Sequence, residues 1–167
     1  PYFYLMGQDN TRLAFFKQFV GHMKKTNPHF GKCCFVDSTP LPNDIRDNPF
    51  NALCSHGLAA TSIQMRLVLI LDDETGLPVW YDILPGNVLD FSTISPLVKD
   101  VEESLGITID DYVLDAGYVV KDLILEINRE TPPWKDENGE EHQRTLIARM
   151  PAKLGFPYKE LYYRTKG

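Results

Sequence analysis

The first clear periodicity along the chain runs over residues 10–26. Leu13, Phe16, Phe19, Val20 and Met23 recur at helical spacing. Asn10 stands where an N-cap is expected, and Lys24 and Lys25 suit the negative C-terminal end. Asn27-Pro28 stops this helix. Cys33 to Asp37 then reads as a short buried strand. The run Ser38 to Asn51 holds Pro40, Pro42 and Pro49, and is not expected to be regular throughout. Residues 52–62 are small and weakly patterned and predict no element.

Met65 to Leu71 is apolar and β-rich, and Leu77 to Leu84 is a second such run. The five residues between them end in Gly76, so the pair predicts a hairpin. Pro85-Gly86-Asn87 breaks the chain. A helix follows to about Leu105, capped by Asp90 or Ser92, with Ile94, Leu97, Val98, Val101 and Leu105 on its apolar face. Gly106 is its stop. Tyr112 to Leu114 predicts a strand ending at Asp115, Val119 to Arg129 a helix, and Thr145 to Met150 a last strand. Thr131 to Arg144 reads as a polar loop. A hairpin followed by alternating helices and strands implies an α/β fold: a mixed sheet with helices on its faces.

Composition supports one globular domain. The 167 residues are 43% hydrophobic and 24% charged. A chain of this length buries roughly two-thirds of its surface on folding, so it needs no disulfide to build a core. No apolar run approaches the roughly 20 residues that span a bilayer, and the first residues, PYFYLMGQDN, lack the basic and apolar regions of a signal peptide. The chain reads as a piece of a longer cytoplasmic protein. Cys33, Cys34 and Cys54 make no disulfide framework and read as reduced thiols.

Charge changes the picture more than its net value of -6 suggests. Residues 1–36 carry a net +4, residues 37–141 a net -15 and residues 142–167 a net +5. An acidic middle can hold cations, and basic flanks can hold a polyanion. An acidic surface also simply keeps a protein soluble.

Two aspartates carry the candidate chemistry. Asp37 and Asp115 each end a predicted strand. A carboxylate after buried β residues is costly unless solvated, paired or bound to a cation. If the strands are neighbours, both carboxylates emerge at one edge of the sheet, and hard oxygen ligands suit Mg²⁺ or Mn²⁺. Aspartate at a strand end is also a common turn-former or helix cap, and spacing alone does not separate these readings.

Longer segments around these aspartates carry a family resemblance. Phe35-Val36-Asp37-Ser38-Thr39-Pro40-Leu41 and Tyr112-Val113-Leu114-Asp115-Ala116-Gly117-Tyr118 resemble the first two acidic motifs of bacterial insertion-sequence DDE transposases. Thr75-Gly76-Leu77-Pro78-Val79 and Pro85-Gly86-Asn87-Val88-Leu89-Asp90 resemble that family's link from hairpin to helix. Thr145-Leu146-Ile147-Ala148-Arg149 resembles its strand after the second acid.

The resemblance implies a ribonuclease H-like mixed sheet with helices on both faces. It divides the chain into an N-terminal helical segment (1–32), an incomplete catalytic core (33–150) and the start of an insertion or linker (151–167). It implies Asp37 and Asp115 as catalytic residues and ligands of Mg²⁺, with Mn²⁺ as substitute. Family members cut DNA at transposon ends and join the freed 3′-hydroxyl to target DNA, and pairing two ends implies a homodimer at full length. Asp90 matches a recurrent family position, but its expected role is to cap the following helix. The family's third acid, a Glu on a later helix, has no match: Glu160 is the one acid after Met150, and no Arg or Lys stands at the expected spacing from it. The chain is therefore expected to be inactive alone.

Arg144, Arg149, Lys153 and Lys159, interleaved further on with Tyr158, Tyr162 and Tyr163, form a candidate DNA-contact strip. Cations would neutralise phosphates and rings would stack on bases; a solvated surface with its tyrosines packed on the core is the plainer reading. The alternative function is a non-catalytic DNA- or protein-binding module on the same fold. A third reading, a different nuclease, needs further acids from Glu102, Glu103 or Glu126. A zinc site is not expected, because Cys54 and His56 lack ligand spacing and no CxxC pair occurs. No GxSxG elbow supports a serine nucleophile.

Overall fold

A computed structural model describes residues 7–54, 62–88, 94–115, 133–135 and 138–148. The first helix, α1, spans Asp9–Thr26. It starts one residue before the expected cap: Gln8 holds the N-cap position and makes no side-chain cap bond. The end matches the expectation, with the Asn27 amide donating to Met23 O at 2.8 Å.

Strand β1 covers Cys33–Pro42, five residues longer than the expected strand. Strand β2 is Ala52–Leu53, β3 is Ile63–Asp72 and β4 is Pro78–Pro85. Helix α2 spans Ile94–Leu105 and β5 covers Asp111–Leu114. The expected caps Asp90 and Ser92, and the helix over 119–129, lie outside the described residues. The polar stretch before Arg144 contains a small ribbon, β6 (Trp134–Lys135) paired with β7 (Glu141–His142). Strand β8 is Thr145–Ala148.

The main sheet runs β2-β3-β1-β5-β8, with β4 also paired to β3. Strand β3 is antiparallel to both β1 and β4, while β5 lies parallel to β1, and β8 to β5. An antiparallel hairpin beside a parallel half is the ribonuclease H-like arrangement.

Proline explains how β1 outruns its expected end. The Asn43 amide donates to Ile63 O at 3.2 Å, so odd-numbered residues of β1 direct their N–H groups at β3. Pro40 and Pro42 turn their nitrogens to the opposite edge, past the last β5 rung at Leu114. No ladder bond is lost there.

One face of the sheet holds the core. Cys34 and Val36 of β1, Val68 and Ile70 of β3, and Tyr112 and Leu114 of β5 meet Phe16 and Val20 of α1 and Leu97, Val98 and Val101 of α2. Each fully buried side chain of this kind contributes about 2 kcal/mol. Trp80 joins them, with its ring 5.1 Å from that of Phe16. Val79 and Trp80 are both buried although adjacent, because a register shift at Ile70/Leu71 breaks the alternation.

The hairpin turn closes on a buried carboxylate. Asp72 accepts hydrogen bonds from the Gly31 amide at 2.8 Å, the Thr75 amide at 3.0 Å and the Thr75 hydroxyl at 2.7 Å. Its burial is thus compensated on three sides. At the end of α2, Gly106 adopts φ +66° and donates to Glu102 O at 2.9 Å, the stop expected there.

Candidate active site

The parallel ladder between β1 and β5 pairs Cys33 with Asp111, Cys34 with Tyr112, Phe35 with Val113 and Val36 with Leu114. Asp37 is the next residue of β1 and Asp115 follows β5 directly, so the two residues stand at the same end of neighbouring strands. Adjacent strands lie roughly 4.8 Å apart. Alternation assigns Asp37 to the face of Phe35, and Asp115 to that of Val113, away from the core formed with α1 and α2. Both aspartates are exposed.

The sequence order supplies this geometry simply. Each strand places alternating apolar residues inward (Cys34 and Val36 on β1, Tyr112 and Leu114 on β5) and is followed by an acid one residue past the shared ladder. Two exposed carboxylates at neighbouring strand ends are a hard-oxygen donor set that fits a divalent cation. Among the described residues no three His, Cys, Asp or Glu side chains converge as a complete metal site.

Beyond Asp37, β1 continues against β3, which is paired on its other edge with β4. Ser38 turns to the core face, where its hydroxyl lies 2.7 Å from Arg66 Nη2. Arg66 is buried. The residue after Asp37 is therefore anchored beneath the sheet, a contact sequence reasoning missed. The equal parity of Pro40 and Pro42 is the signal that could have shown the strand continuing.

Arg144 is the one residue of the expected DNA strip within the described region, and it turns inward. Its Nη2 lies 2.6 Å from Glu102 Oε1, and its Nε donates to Ile109 O at 3.1 Å. The side chains of this pair are 13% and 16% exposed. Glu102 Oε1 also accepts from the Ile109 amide at 2.7 Å. The guanidinium lies 5.3 Å from the Tyr112 ring centroid. Glu102 is thereby engaged at the start of β5, opposite the end that carries Asp115. Glu103 lines a groove between α1 and α2 on the core face. Arg149, Lys153, Lys159, Asp90 and Glu126 lie outside the described residues.

The thiols are not poised for chemistry. Burial and the nearby Asp73 push the Cys33 thiol up to about 11. Burial, with Asp72 close by, pushes Cys34 higher still. All three cysteines are free.

A sequence model of the family described as Transposase DDE domain matches residues 28–150. The chain belongs to that family. Its members generally use divalent metal ions. Among solved structures, the domain is similar to a piggyBac transposase synaptic complex with hairpin DNA, at 11% identity and TM-score 0.47, over 90% of this chain and 32% of that one. It is also similar to a Mos1 transposase paired-end complex with left transposon end, at 11% identity and TM-score 0.36, over 70% of this chain and 39% of that one. A Drosophila P element transposase strand transfer complex matches at 12% identity and TM-score 0.34, over 81% of this chain and 29% of that one. The domain thus spans about a third of the length of these chains. No curated protein matches it. Among the described residues no helix is long and apolar enough to cross a membrane.

Proposed function

We propose that this transposase domain supplies Asp37 and Asp115 to a metal-dependent site that cuts transposon ends and joins them to target DNA. The observation that carries this reading is the pair itself: two exposed carboxylates, one rung beyond the same parallel ladder. Divalent ions bound there would supply activation of the attacking oxygen and stabilisation of the leaving oxygen at phosphorus. The domain's own residues orient the site. The β1–β3 ladder fixes Asp37 on one strand, and the Arg66–Ser38 contact anchors the next residue on the opposite face.

DNA is the proposed partner. Arg149, Lys153 and Lys159 would neutralise its phosphates, whereas Arg144 has a structural task at Glu102. The third carboxylate is not supplied by residues 1–167, because Glu160 lacks the family's surrounding pattern. The domain alone would then bind Mn²⁺ weakly and leave DNA intact. A homodimer at full length belongs to the same reading.

Mn²⁺ binding, followed by electron paramagnetic resonance, tests the site. One weak site is expected in the native chain, and it should disappear in both Asp37→Asn and Asp115→Asn. Binding that survives either change separates the two acids and overturns the reading. Mg²⁺-dependent nicking by residues 1–167, abolished in Asp37→Ala, would show instead that the catalytic set is complete within the chain.

A further inference from the structure

Helix α1 turns Phe16 and Val20 into the core and leaves its outer side uncovered. That side carries two neighbouring stripes at helical spacing. Phe15, Phe19 and His22 form one, and Lys17, Gly21 and Lys25 the other. Together they line a groove of about 650 Å³. Phe15 is 58% exposed and stacks on Phe19, with ring centroids 5.8 Å apart. An aromatic pair left partly in water is surface that gains from being covered.

Gly21 is a notch in the wall of this groove. A Cβ there would meet no atom within 4 Å, and Gly21 is not among the glycines with positive φ. Neither packing nor backbone conformation therefore requires glycine, and in mid-helix it is less stable than alanine. What the missing side chain provides is space. The space lies between two lysines that stand about 12 Å apart along the helix axis.

The charge of the groove is one-sided. Among the described residues lining it none is acidic. The carboxylates that approach α1 are engaged at its ends. Asp9 and Asp82 pair with Arg12 in the first turn, and Asn27 donates to Glu74 beyond the last. Asp110 pairs with Lys32, and it is near these two that Lys24 lies.

We propose that this groove docks an acidic amphipathic helix of a partner protein. A large apolar side chain of that helix enters the notch at Gly21 and packs on Phe15 and Phe19. Carboxylates two turns apart on it meet Lys17 and Lys25. A helix is the form that fits, because a glycine lets a second backbone approach closely, and apolar anchors at helical spacing match the aromatic stripe. Single-stranded nucleic acid is the poorer occupant. Bases need free ring faces to stack on, and Phe15 and Phe19, nearly parallel at 6°, already cover theirs with each other. The groove also belongs to the helix-covered side of the sheet, opposite the face of Asp37. The inference rests on neither metal binding nor catalysis.

Fluorescence anisotropy of a labelled peptide tests it on the 1–167 chain. The probe is a peptide of about 15 residues, with leucine repeating at helical spacing and glutamate elsewhere. The controls are the same peptide with lysine for glutamate, and an oligothymidylate of equal length. The acidic peptide should bind with a Kd of about 10–100 µM, and the lysine peptide should not bind. Gly21→Leu fills the notch and should weaken binding at least tenfold, as should Phe15→Ser. Circular dichroism should stay unchanged in both, because both positions are exposed. Lys17→Glu/Lys25→Glu should transfer the preference to the lysine peptide. An acidic peptide that fails to bind at about 500 µM overturns the proposal, as does binding indifferent to Gly21→Leu. Oligothymidylate that displaces the peptide, and is itself lost in Lys17→Glu/Lys25→Glu, also overturns it and makes the groove a phosphate surface. A dimer seen by sedimentation velocity and dissolved by Gly21→Leu overturns it too, and gives the groove to a second copy.

Discussion

The Arg144 guanidinium and the Glu102 carboxylate meet at 2.6 Å where α2, β5 and β8 converge. The pair is mostly buried, and its remaining capacity goes to the Ile109 backbone on both sides. Removing one partner of such a pair leaves an uncompensated buried charge, at a cost of about 3 kcal/mol. Arg144→Ala should therefore lower the urea midpoint strongly, and Glu102→Ala should do the same. The double variant should cost less than the sum. A midpoint within experimental scatter of the native value for Arg144→Ala would show the pair to be ornamental.

Gly86 and Gly21 should respond in opposite directions to the same substitution. A Cβ on Gly86 would lie 2.1 Å from the backbone oxygen of Gln64, and no flexible side chain can give way there. Gly86→Ala should cost about 2 kcal/mol through the forced separation of β3 from this turn. Gly21 is exposed in mid-helix with open space around it, so Gly21→Ala should stabilise by about 0.5–1 kcal/mol. Urea unfolding at a fixed low concentration measures both. Equal signs would refute the packing argument.

Alkaline pH should unfold the domain early. Burial raises Cys33 to about 11, and raises Cys34 and Tyr112 further. These groups hold their protons more tightly folded than unfolded. Their contribution to stability is thus complete below the unfolded thiol value of 9.0 and falls as pH rises from there through about 11. A thermal midpoint declining steeply between pH 9 and 10.5 is expected, with a shallower decline in Cys34→Ala. A flat profile in that window would contradict the burial of these thiols.

Asp37→Asn and Asp115→Asn should leave the fold intact. Both carboxylates are exposed, so the isosteric amide disturbs no buried contact at either position. The thermal midpoint should stay level, with stability within about 0.5 kcal/mol of native. A large destabilisation would mark either residue as structural and remove the reason for treating the pair as a site.

Much of this was legible in the residues, for identifiable reasons. The β3–β4 hairpin announced itself through two apolar runs around a Gly-terminated turn, and α1 through Phe16 and Val20 at helical spacing. The pairing of Asp37 with Asp115 followed once β1 and β5 were neighbours. The extension of β1 was hidden, because proline is a breaker only when its missing N–H faces a partner. Arg144 was misjudged for a different reason: a basic residue in a basic stretch reads as surface until its partner, 42 positions away, is brought against it. The β6–β7 ribbon is two residues per strand, too short for alternation to signal.

The prolines of β1 also determine what the outer margin of that strand can pair with. Above the end of β5, the outer margin of β1 offers carbonyls at Pro40 and Pro42 but no matching amide hydrogens. A stray extended segment therefore finds a defective template and cannot zip onto it.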